Sequence, residues 1–153
     1  MFCDGGGRGQ LVRCTRRGLS REELTYVVSI SEGSAVHLLG CEVTGGSDGV
    51  YAVNSTVVSM DTVVSGRTLP TQHRPPLSQE GRPAGRSGYL VEDACGSILR
   101  GRVHGVEIGL FVHCSYSGPG TCTTPTVDAA RTVFEPALWG VTVEDACTVT
   151  MTD

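Results

Sequence analysis

The chain contains no lysine: all 12 of its basic residues are arginine, a bias that a GC-rich coding sequence explains without any functional cause. Basic character is also in deficit, since 16 acidic residues leave a formal charge of -4. That balance disfavours a phosphate-tracking surface, so no nucleic acid is expected as a partner. Long apolar runs are missing too. Nothing approaches the ~18 residues of a membrane-spanning helix, and membrane insertion is not expected. The first residues, "MFCDGGGRGQLVR", lack the apolar stretch of a secretory leader, which points to synthesis in a cytoplasm. The glycine run Gly5 to Gly7 precedes no G-K-S/T sequence and cradles no phosphate. No cysteine pair shows the C-x2-C spacing that marks a zinc site.

Few residues are long helix formers. Valine, threonine, serine and glycine dominate, a mixture that suits pleated, half-buried surfaces joined by many turns. At 153 residues the chain has the usual size of one domain. Residues 1–24 show little apolar periodicity and are expected to form an arm, with a capping-box spacing between Ser20 and Glu23 that could start one helical turn. From residue 25 onwards short β segments follow: "TYVVSIS", "AVHLLGCEV", "VYAV", "TVVSMDTVV", "GYLVE", "SILRGRVH", "EIGLFVHC" and two near the C-terminus. Alternation places His37, Leu39, Cys41 and Val43 on one face, Val58, Met60 and Val64 on another, and Ile108, Leu110 and Val112 on a third. Residues 66–87 and the "SYSGPGTCTTP" stretch read as irregular loops. Turn signals every 8 to 12 residues or so predict a single antiparallel β-sandwich or jelly roll over residues 25–153. The string "VEDAC" occurs at 91–95 and again at 143–147. Without matching flanks it reads as two similar strand exits rather than a solenoid repeat.

The seven cysteines are odd in number, which argues against a full disulfide scaffold. Cys114 and Cys122 flank a loop and are the pair expected to bridge, while Cys41 fits a reduced, buried thiol. Two chemical alternatives are weighed against simpler ones. "EDACGSILRGRVHGVEIGLF" is similar to the nucleophile segment of chymotrypsin-like viral cysteine proteases, which would make Cys95 the nucleophile and His37 the base. A plain β-turn at "DACG" accounts for the same residues, and no enzyme is expected. His37 with Cys41, or His104, His113, Cys114 and Cys122, could ligate a metal, but structural histidines and buried cysteines are favoured, and no cofactor is expected.

A final resemblance concerns residues 32–103. "EGSAVHLLGCEVTGGSDGVYA", "RTLPTQHRPP" and "GRSGYLVEDACGSILRGRV" resemble the C-terminal β-sandwich domains of phage tail fibres. That resemblance implies a virion structural protein, located at a tail-fibre tip, head fibre or capsid decoration. It further implies a homo-oligomer, with a trimer favoured, whose partners are other virion proteins and a host surface glycan or protein. On a sandwich the loops would carry recognition, so Arg74, Arg82, Arg86 and Tyr116 are the candidate contact residues. A secreted or surface carbohydrate-binding module is the alternative.

Overall fold

The computed structural model describes residues 1–17, 26–46, 48–66, 87–114, 125–135, 138–145 and 147–153. Its strands are all parallel. They wind as a β-helix whose three walls are three parallel sheets. Rung 1 consists of β1 (Phe2–Cys3), β2 (Arg8–Val12) and β3 (Thr15–Arg17). Rung 2 has β4 (Tyr26–Ile30), β5 (Ala35–Leu39) and β6 (Glu42–Thr44). Rung 3 has β7 (Asp48–Val53), β8 (Thr56–Met60) and β9 (Val63–Ser65). Rung 4 has β10 (Ser87–Glu92), β11 (Cys95–Leu99) and β12 (Arg102–His104). Rung 5 has β13 (Ile108–His113), β14 (Thr126–Ala130) and β15 (Val133–Glu135), and rung 6 has β16 (Trp139–Val143) and β17 (Thr148–Thr152). The first strand of every rung builds the first sheet, the second strand the second, and the third strand the third.

The expected antiparallel sandwich is therefore overturned. Alternation of apolar and polar residues reports a sheet with one buried face and says nothing about strand direction. Here each wall buries one face against the other two, so the alternation is genuine although its neighbours run parallel. The turn signals mark bends between walls, not hairpins. Parallel strands need a long crossover, and in this fold the other two strands of the rung supply it.

Local chemistry explains the bends. Between the second and third sheets one residue per rung takes a left-handed backbone: Arg13, Gly40, Asp61, Arg100 and Arg131, with φ of 45, 61, 52, 51 and 50°. Each amide at that bend donates to the carbonyl of the rung above: Arg13 N to Leu39 O at 2.8 Å, Asp61 N to Leu99 O at 3.0 Å, and Arg131 N to Thr152 O at 2.8 Å. Thus the chain turns without leaving a backbone polar group unpaired at those amides. The bend also resets the face. His37 and Leu39 point outward in β5, whereas Cys41 and Val43, beyond Gly40, point inward into the third sheet's column. Likewise Val58 and Met60 lie outside while Val64, past Asp61, is buried. Ile108, Leu110 and Val112 do share the buried face of β13.

The interior is a set of columns in register. Val28, Val50, Tyr89, Leu110 and Val141 form one; Ile30, Ala52, Val91, Val112 and Val143 a second. Val36, Val57, Gly96, Val127 and Val149 run up the second sheet beside Leu38, Ser59, Ile98, Ala129 and Met151. Val43, Val64, Val103 and Phe134 line the third. Burying each valine or leucine contributes roughly 1.5 to 3 kcal/mol before the entropy of ordering is counted. Tyr89 is the one large polar exception, fully buried, and its hydroxyl sits 2.6 Å from Ser59 Oγ. Ser59 is small where it meets the tyrosine hydroxyl, and burial pushes the Tyr89 phenol far above its ordinary pKa, so it stays neutral.

Before the first-sheet column residue of rungs 3 to 6 stands a glycine: Gly49, Gly88, Gly109 and Gly140. A Cβ on Gly49 would lie 2.8 Å from the Gly88 carbonyl oxygen and collide with Val64; one on Gly88 would lie 2.8 Å from the Gly109 oxygen and collide with Val103. In rungs 3 to 5 the third and first sheets meet too closely at this corner for a side chain, whereas rung 2 holds Val27 at the same place.

The two copies of "VEDAC" both leave the first sheet, two rungs apart, in register at Val91 and Val143 and one residue out at the cysteines, since Cys95 is level with Thr148. Val91 and Val143 stack in one column with Val112 between them. Asp93 and Asp145 both take the left-handed bend from first to second sheet, with φ of 47 and 61°. The string is a repeat of the coil after all. Of the residues expected to form an arm, 1–17 supply β1, β2 and β3; residues 18–24, with the Ser20 to Glu23 spacing, lie outside those described.

Candidate functional site

The predicted contact residues Arg74, Arg82 and Arg86 fall in the segment joining β9 to β10, and Tyr116 and Cys122 in the segment joining β13 to β14; all lie outside the described residues. The expected Cys114 to Cys122 bridge is replaced by another. Cys114 is bonded to Cys147, with Cα atoms 5.9 Å apart. Sequence proximity suggested the loop partner, but stacking brings the end of β13 beside the start of β17, and the coil decides. The bridge fastens rung 5 to rung 6.

Cys95 is itself disulfide-bonded, so no thiolate is available there for nucleophilic attack. Its register partner on β8 is Thr56, whereas His37 pairs with Val58 on the far side of that strand. Two strand spacings of about 4.8 Å and two residues along the sheet separate them, well beyond hydrogen-bond reach. The Cys95 and His37 dyad is not assembled. Among the described residues no group of three or more histidine, cysteine, aspartate or glutamate side chains could hold a metal ion.

Three features went unnoticed in the sequence. The first lies on the outer face of the first sheet, where the Tyr26 and Tyr51 rings stack with centroids 4.3 Å apart and Tyr51 donates to Glu92 Oε2 at 3.0 Å. Farther up the same wall His113 stacks on Phe111, and its Nδ1 approaches Glu144 and Asp145 at 3.4 and 3.3 Å, contacts that become ion pairs when the ring is protonated.

The second feature is a groove of 420 Å³ at the bend between second and third sheets, lined by Arg13, Cys14, Thr15, Gly40, Cys41, Glu42, Asp61 and Val63. At its floor the Cys14 thiol donates to Cys41 Sγ at 3.0 Å, and the Cys41 thiol donates to Leu11 O at 3.3 Å. Burial, reinforced by the hydrogen bond to Cys41, raises the Cys14 pKa.

The third is the C-terminal end of the coil. Core columns run out there uncovered: Trp139 is 57 % exposed, Met151 51 % and Val143 42 %, with Leu138 and Val133 half-exposed beside them. Rungs 5 and 6 carry Asp128, Glu135, Glu144, Asp145 and Asp153, with Arg131 the one arginine among their described residues and Arg102 of rung 4 paired to Glu135 at 2.8 Å. The opposite end has the reverse character: rung 1 carries Arg8, Arg13, Arg16 and Arg17 against Asp4. Periodicity could not flag the open end, because Trp139 and Met151 obey the same inward pattern as their buried counterparts in lower rungs.

No family model, curated protein or solved structure matches this chain. Function must be argued from the geometry itself.

Proposed function

We propose that the protein is a structural module that works by end-to-end assembly, the uncovered sixth rung of one copy receiving the arginine-rich first rung of the next. The observation that carries this reading is the exposed run of core-column residues at the C-terminal end. An apolar patch with a charged border marks an interaction surface, and the arginines of rung 1 complement that border. Because the two docking surfaces differ, the contact is heterologous and extends to linear stacks rather than closing as a pair. A virion role, as tail-fibre tip, head fibre or capsid decoration in a bacterial virus, suits such a stack.

Trp139 is the only tryptophan and sits at the proposed contact, so its fluorescence reports docking directly. Raising the protein concentration at low salt should increase the sedimentation coefficient and shift tryptophan emission to the blue. Added salt should reverse both, and Trp139→Asp should abolish association while leaving the circular dichroism unchanged. A species that stays monomeric with red, concentration-independent emission would overturn the proposal. Negative-stain images of native particles then test the virion reading: absence of the protein from any large assembly removes it.

A second reading, binding of a surface glycan, is favoured by the row of stacked, part-exposed Tyr26 and Tyr51 rings, since aromatic faces suit sugar faces. A glycan array probed with the wild type and Tyr51→Ala distinguishes it: signal lost in the variant supports the row, and no signal from either protein discards it.

A further inference from the structure

We propose that Cys14 and Cys41 are a disulfide-forming pair that locks rung 1 onto rung 2. They hold the same position in successive rungs, the inward residue directly after the left-handed bend at Arg13 and Gly40. In rungs 3 and 5 that position is threonine, whose hydroxyl ties the bend to backbone carbonyls: Thr62 Oγ1 donates toward Leu38 O and Met60 O at 3.3 and 3.1 Å, and Thr132 Oγ1 toward Ile98 O and Ala130 O, both at 3.1 Å. The cysteines keep this geometry and add a partner of their own kind. Their sulfurs are 3.0 Å apart, and the strands that follow, β3 and β6, are register neighbours with Thr15 opposite Glu42. Adjacent strands lie about 4.8 Å apart, inside the backbone span that disulfides tolerate, so closure needs little more than rotation of two side chains.

Access and milieu favour the reaction. The groove opens onto the pair, Cys14 is the more exposed of the two, and the same chain carries oxidised cysteines at Cys95, Cys114 and Cys147. The oxidant is a small-molecule disulfide of the glutathione class. Cys14, as thiolate, attacks one sulfur of that disulfide, forming a mixed disulfide and releasing one thiol. Cys41, as thiolate, then attacks the Cys14 sulfur, forming the Cys14–Cys41 bond and releasing the second thiol. Two electrons pass to the reagent, and the two protons lost by the cysteines end on the two released thiols.

The test counts thiols in the full chain. Protein is incubated with oxidised glutathione, denatured in N-ethylmaleimide and weighed intact, and the cross-linked peptide is then mapped. Among the described cysteines the alkylated count should fall from three, corresponding to Cys3, Cys14 and Cys41, to one, with Cys14 linked to Cys41. Cys3→Ser should take the count from two to zero, and Cys14→Ser should leave its two thiols reactive. Should Cys14→Ser fail to fold, the Cys3→Ser count and the peptide map decide alone. Three alkylated thiols after oxidation, a glutathione adduct that persists on Cys14, or a link made through Cys3 would each overturn the proposal. Oxidation should also raise the thermal midpoint by several degrees, reversed by reductant, in the wild type and not in Cys14→Ser.

Discussion

Two kinds of corner coexist in this coil, and they are built to opposite specifications. Between the second and third sheets every connection has two residues: 13–14, 40–41, 61–62, 100–101 and 131–132. The first takes the left-handed bend and the second turns inward. Between the third sheet and the next rung's first sheet the connection is three residues in the tightest cases, eight between β3 and β4, and twenty-one between β9 and β10. One corner fixes the cross-section while another absorbs insertions. A stacked fold needs only enough constant geometry per rung to keep the register, and chain length elsewhere is cheap in free energy because loop-closure cost grows slowly.

The glycines where the third sheet meets the first should give the largest effect. Gly88→Val places a side chain against the Gly109 carbonyl and Val103, and a loss of about 3 kcal/mol or more in a urea titration is expected. Gly6→Ala is the control. It has the same kind of residue and a φ of 76°, but nothing lies within 4 Å of the added carbon, so only the backbone penalty of about 1 to 2 kcal/mol should appear. Equal losses would mean that corner crowding is not what holds the sheets in place.

Next in size is the core against the wall. Leu110→Ala removes a fully buried column residue and should cost about 2 to 5 kcal/mol, whereas Val133→Ala, on an outward position, should stay within about 0.5 kcal/mol. The same denaturant titration measures both. At the constant corner Thr62→Val keeps the shape but loses the hydroxyl that reaches Leu38 O and Met60 O; about 1 kcal/mol is expected.

The smallest effect concerns charge on the outside of that corner. Arg100 donates to both Asp61 carboxylate oxygens, at 2.7 and 2.8 Å, and this contact holds the Asp61 carboxyl below its ordinary pKa. A depressed folded-state pKa means that the contribution is complete above the unfolded carboxylate value and is lost as pH falls through the folded one. Asp61→Asn should therefore lower stability slightly at neutral pH, with the difference from the wild type closing as pH falls below about 4, a convergence readable in melts at a series of acidities.

How much of this was legible beforehand follows from the same contrast. Strand content and many buried positions came through because period two is set by one-sided burial, as at Ile108, Leu110 and Val112. Parallel winding did not, since inward valines look alike in a sandwich and in a coil. The repeat was masked by insertions at two corners, third to first sheet between β9 and β10 and first to second sheet between β13 and β14: the stacked residues Val28, Val50, Tyr89, Leu110 and Val141 are 22, 39, 21 and 31 positions apart. Only "VEDAC" kept its wording, and its copies are separated by a rung that reads "VHC" at the same place. Faces assigned across Gly40 and Asp61 went astray because a single left-handed residue in mid-segment interrupts alternation without interrupting the apolar pattern. The thiol pairings could not be read at all from the linear order, because they depend on which rungs adjoin.

The Cys114–Cys147 bond has a directional consequence. Each rung touches only its neighbours, so loosening begins at the termini and spreads inward, like a coil of rope unwinding from a free end. With rung 6 knotted covalently to rung 5, rung 1 is the less firmly fastened of the two outer rungs under conditions that leave Cys14 and Cys41 reduced. A pull, a protease or rising temperature should then open rung 1 before rung 6, giving melting a fixed polarity.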